Sequence, residues 1–155
     1  MIGRTFAAGL AAGAAGTTAL NAVTYADMAL RGRPASEMPQ KAMELLTSRL
    51  GVGIPGDGDA RQHRLEGLGA LSGIGTGLAV GAAVGLLKPV LRRLPLGISA
   101  VTIGAAAMAG SDVPMARLGL TDPRTWSTAD WLSDLLPHLA YGIATGWTLR
   151  ALGGS

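Results

Sequence analysis

His138 is one of two histidines in this 155-residue chain, and it stands in an apolar run with Asp134 one helical turn before it and Tyr141 nearly one turn after. An imidazole in that setting can bind a quinone head, relay a proton or ligate a haem. A plainer role is also open, in which the ring simply bonds a neighbouring carbonyl. The other candidates lie in the first apolar run, where Asn21 and Thr24 precede Asp27. An acid within an apolar segment is a functional candidate by default, although Arg31, four residues on, can pair with it. Asn21 and Thr24, with Thr17, can line a polar pocket or path, or hydrogen-bond across a helix contact.

Other chemistries are excluded by residue type. The chain has no cysteine, so disulfides, thiolate metal sites and cysteine nucleophiles are absent. Gly73, Gly75 and Gly77 are glycine-rich, but the run is wholly apolar, no strand precedes it and no Gly-Lys-Ser/Thr follows. There is no His-Glu-x-x-His run and no Gly-x-Ser-x-Gly elbow. A haem held by two histidines would need His63, which lies in a charged segment between Arg61 and Arg64. Enzymatic chemistry is left to dispersed residues such as Asp112, Asp134 and His138, and no cofactor or metal is expected.

The elements that carry these residues are apolar helices. Hydrophobic residues make up 48% of the chain and charged residues only 15%, against about 25% charged in an average soluble domain. Aromatics are 4%, so a water-soluble core would have to come from small aliphatic side chains. The composition predicts a single all-α domain, an integral membrane four-helix bundle. Its spans are expected at about 5–30, 65–87, 94–113 and 132–152, with a short amphipathic helix at about 37–50 in the first loop. The first run exceeds a signal-peptide core in length and carries polar residues in its second half, so it reads as a retained helix. The third is short, needing Leu94 and Val113 or a thinned bilayer to cross, and Pro95 fits its first turn. In the fourth, Ser127 and Asp130 form a capping-box-like start, and Pro137 predicts a kink or a break.

Gly69, Gly73, Gly77, Gly81 and Gly85 stand four residues apart in the second span. An interior glycine costs a helix about 1 kcal/mol relative to alanine, and close backbone contact in lipid is the compensation that small residues at this spacing supply. Two further rows, Gly9-Gly13-Thr17-Asn21 and His138-Gly142-Gly146, share the spacing. Such rows favour right-handed crossings of about −40°. Three glycine faces predict close packing within one bundle, with the second span at its centre, or packing against a second copy or a larger membrane complex.

Orientation is read from lysine and arginine. Arg4, Lys88, Arg92, Arg93 and Arg150 fall on the side of the termini with no Asp or Glu, and the remaining eight cations share the other side with the acids. A plain count places the long loops inside. The density of three cations in the turn 88–95 places the termini inside, and that orientation is the expectation adopted. The net charge of +3 is spread at the ends of apolar segments, which suits anionic headgroups and not nucleic acid. The block from Gly13 to Met28, continuing as Arg31-Gly-Arg-Pro-Ala-Ser36, resembles small multi-helix membrane proteins of high-GC actinobacteria. That resemblance implies an inner-membrane location and no particular activity. A structural or accessory role is expected first, a small transporter or channel with a polar path near Asn21, Asp27 and His138 second, and a lipid- or quinone-linked enzyme last.

Overall fold

The computed structural model describes residues 2–152. Among them the chain is all-helical: α1 (Ile2–Arg31), α2 (Met38–Arg49), α3 (Gly58–Leu86), α4 (Lys88–Leu91), α5 (Leu96–Arg117), a 3₁₀ turn (Pro123–Thr125) and α6 (Thr128–Ala151). Three of these, α1, α3 and α5, are long and apolar enough to cross a membrane. At 1.5 Å per residue even α5, with 22 residues, is about 33 Å long. The 24-residue α6 is not in that set, because Asp130, Asp134, His138 and Arg150 interrupt its apolar residues.

Local chemistry sets the ends. Gly32 adopts φ 63° just past α1, the left-handed conformation that closes a helix at little cost only for glycine, and Pro34 prevents its resumption. At the start of α6, Ser127 and Asp130 form the reciprocal capping box that their spacing implies. Three boundaries differ from the sequence expectation. The third helix begins at Leu96, leaving Pro95 as the residue before it and not in its first turn, and it continues through Pro114 to Arg117. A proline there forfeits one amide donor in the closing turns, where end effects already weaken the ladder. Pro137 does not divide α6, which is one helix from Thr128 to Ala151. The α3 helix starts a full seven residues before the apolar run, so its charged first turns stand beyond that run.

Helix α1 packs extensively against α3 and α6, α5 packs on α6, and α3 touches α5 more sparingly. The core is small: Ala12, Val84, Ile103, Ala107, Tyr141 and Leu149, with Ala8, Leu20, Val80 and Leu91 against it. Backbones approach closely where glycines meet. A Cβ at Gly81 would lie 2.7 Å from the backbone N of Gly13 and from the O of Gly9, and one at Gly9 would lie 3.0 Å from the Cα of Gly85. On the far side, a Cβ at Gly104 would meet the carbonyl O of His138 at 2.6 Å, and one at Gly142 would meet the N of Gly104 at 2.7 Å. The outside is apolar: Leu71 and Trp147 are each 64% exposed, and Ile74, Ile98, Val101, Leu136 and Ile143 are exposed beside them. The α2 helix buries nothing fully. It lies along the first half of α3, with Pro39 and Gln40 over Gly69 and Glu44 paired to Arg61 at 2.6 Å.

Candidate polar site at the loop end of the helices

Asp27, near the C-terminal end of α1, gathers a network. Arg31 lies 3.3 Å from its Oδ1, Arg33 bonds its Oδ2 through Nε, and the Ser133 hydroxyl from α6 donates to Oδ2 at 3.3 Å. Arg31 also donates to Ser133 Oγ at 2.6 Å. The pairing of Asp27 with Arg31 is the one the spacing implies, but Arg33 and Ser133 add a tie between α1 and α6. Sequence reading missed both. Arg33 lies past Gly32, which turns it back, and Ser133 is remote in the chain.

One residue further along α6 begins a second group. His138 Nδ1 lies 2.8 Å from the carbonyl of Asp134 and 3.3 Å from its Oδ1, while Nε2 faces Ser111 Oγ of α5 at 3.4 Å. A carbonyl only accepts, so Nδ1 carries a hydrogen. Asp112 lies beside Ser111, with their side chains 3.2 Å apart, and its carboxyl is close enough to that of Asp134 for the two to act on one another electrostatically. Asp134 Oδ2 is buried without a hydrogen-bond donor. Asp112, Asp134 and His138, remote or a turn apart in sequence, thus form one cluster. Two facing carboxyls and an imidazole can accept and pass protons.

The order Ser111, His138, Asp134 is that of a hydrolytic relay, yet a relay needs an exposed nucleophile and oxyanion donors. Ser111 Oγ instead donates to the Met108 carbonyl of its own helix at 2.9 Å, and the residue is half-buried. No three His, Asp or Glu side chains among the described residues are arranged to hold a metal ion.

The remaining candidates go elsewhere. The Tyr141 hydroxyl donates to the carbonyl of Gly77 at 2.6 Å, deep between α6 and α3. Thr145, one turn on, donates to Ala12 O of α1 at 3.3 Å. Thr17 bonds back to Gly13 O at 2.8 Å, and Asn21 and Thr24 are half-buried on α1 with no hydrogen bond to Asp27 or His138 among the described residues. The five candidates Asn21, Thr24, Asp27, His138 and Tyr141 therefore divide between the polar end and the core. Among the glycines, Gly9, Gly13, Gly81, Gly85 and Gly142 meet backbone, Gly77 meets Thr17, and Gly69 meets α2. Gly146 has only side chains at 3.6 Å, and Gly73 has nothing within 4 Å.

Beside the cluster, the segment before α6 is held by carboxylates outside the apolar runs. The Ser127 hydroxyl and amide hold Asp130 below the usual carboxylate range, and Arg124 does the same for Asp122. A depressed carboxylate contributes stability above its unfolded value of 3.8, and that contribution disappears as pH falls through the lower folded value. The edge-on pair Trp126–Trp131, with centroids 5.0 Å apart, reports on this segment. Its near-ultraviolet circular dichroism is expected to persist to below pH 4. Ser127→Ala should move the loss to higher pH, and an unchanged profile would refute the role given to the cap.

Comparison with family models, curated proteins and solved structures yields no match.

Proposed function

We propose that the chain is a multi-pass protein of the plasma (inner) membrane in which α1, α3, α5 and α6 form a four-helix bundle, with a structural or accessory role. The observation that carries this reading is the apolar exterior: large apolar side chains ring the outside, while the inside is closed by a small apolar core, glycine backbone contacts and a few hydrogen-bonded hydroxyls. Exposed apolar surface of this extent requires lipid or protein against it. Helix α6 packs along both α1 and α5, so if those two cross the bilayer it crosses with them despite its polar residues. Glycine rows serve this assembly by allowing helix backbones to touch. The likeness to small actinobacterial membrane proteins favours the inner membrane, and the cations on the termini side favour a cytoplasmic placement of both ends.

The accessory role follows from the tight interior, in which Tyr141 and Thr145 fill the space between helices. The test is purification from native membranes in mild detergent. The chain should emerge with a partner protein or as an oligomer, and a lone monomer carrying only lipid would refute the role. A second reading, a small transporter with a polar path near Asn21, Asp27 and His138, is favoured by the Ser111–His138–Asp134–Asp112 contacts. It requires proton or solute flux in liposomes that Asp134→Asn abolishes, and no flux across a broad panel would remove it.

A further inference from the structure

All ten acids lie in 27–66 and 112–134, which leaves residues 1–26, 67–111 and 135–155 without Asp or Glu. The five cations of those stretches, Arg4, Lys88, Arg92, Arg93 and Arg150, are gathered at one end by the fold. Thr5 O lies where a Cβ on Gly85 would be 2.8 Å away, which sets Arg4 near the end of α3, and Arg150 Nη2 bonds the carbonyl of Leu94. That guanidinium also donates to the buried Ser99 hydroxyl at 3.2 Å. Both partners are neutral, so they orient the group, and no side-chain acid among the described residues pairs with it.

A narrow crevice opens here between α4, α5 and α6, with Lys88, Arg92 and Arg150 beside an apolar floor of Leu91, Ile103 and Leu149. Leu86, Leu87, Val90 and Ile98 are exposed next to it. Cations at the rim of an exposed apolar surface are the arrangement of a segment at headgroup depth, with apolar side chains towards the acyl layer and charges towards phosphates. The enclosed space is about 10 Å³, room for about one water, so a ligand must lie across the mouth and not within it.

We infer that this end of the bundle binds the phosphate of an anionic phospholipid, held by Lys88, Arg92 and Arg150 with an acyl chain along the neighbouring apolar surface. The inference rests on the membrane reading above. The full chain is reconstituted in nanodiscs of mixed phosphatidylglycerol and phosphatidylcholine, and the lipids retained after release into detergent are counted by native mass spectrometry. The anionic lipid should be enriched on the wild type. Lys88→Gln with Arg92→Gln should reduce that enrichment by about fivefold for each cation removed, Lys88→Gln alone by one such step, and Arg117→Gln at the other end should leave it unchanged. Equal retention of both lipids, or an enrichment that survives the double substitution, overturns the site while leaving the membrane reading intact. Loss of enrichment to inorganic phosphate at constant ionic strength assigns the cations to a free anion and overturns the lipid. A chain that does not enter the discs overturns the membrane reading and this site together.

Discussion

Gly81→Leu is expected to destabilise the helix assembly by about 3 kcal/mol, whereas Gly73→Leu, two turns earlier in the same row, leaves it unchanged or slightly more stable. At Gly81 the new side chain meets the backbone of Gly13 and Gly9 at 2.7 Å. Backbone atoms of a packed helix do not swing aside as a side-chain tip does, so α1 and α3 must separate and forfeit their contact along several turns. At Gly73 nothing stands within 4 Å, and replacing glycine in a helix interior recovers about 1 kcal/mol of propensity. Titration with sodium dodecyl sulfate, followed by helical circular dichroism and by tryptophan emission, measures both variants. Equal losses at the two positions would show that the close contact of α1 with α3 does not hold the protein together. The contrast also bears on partner binding. A partner lost in Gly81→Leu reports only a broken bundle, while a partner lost in Gly73→Leu or Gly75→Leu reports an outer face.

Why one glycine matters and its neighbour does not was beyond the reach of spacing alone. Residues four apart advance about 40° around a helix, so five glycines from Gly69 to Gly85 sweep through about 160° and cannot all face one partner. Which of them touch depends on where the crossing falls, and that is a property of two helices. Gly104 shows the converse: it belongs to no row, yet it receives the carbonyl of His138. The helices themselves were legible because length and apolar composition are written along the chain, as was the Ser127–Asp130 cap. The ion pair of Asp27 with Arg31 was legible for the same reason, being local. The contacts of His138 with Ser111 and of Asp112 with Asp134 join α5 to α6 across a loop, and they depend on the close approach of those helices, which Gly104 and Gly142 allow.

Tyr141 is the largest fully buried side chain, 1% exposed, and its replacement should produce the largest single loss of stability. Tyr141→Phe removes only the 2.6 Å hydrogen bond to Gly77 O and should cost about 1 kcal/mol. Tyr141→Ala also empties the space between α6, α1 and α3, and should cost about 3–5 kcal/mol. The same detergent titration separates the two, and a phenylalanine variant as damaged as the alanine variant would mean that the ring's packing contributes little. A double substitution tests the packing directly. A Cβ at Gly16 would clash with Thr145 Oγ1 and stand 2.7 Å from the Tyr141 ring, so Gly16→Ala should destabilise the wild type. With alanine at 141 the ring is gone while the Thr145 hydroxyl remains, so the penalty of Gly16→Ala should shrink in part, a coupling expected of residues in direct contact. Additive losses would assign the crowding at Gly16 to the Thr145 hydroxyl and not to the ring. A shared loss would mean that the Tyr141 ring, together with the Thr145 hydroxyl, seats α6 on α1 over a position where only glycine fits.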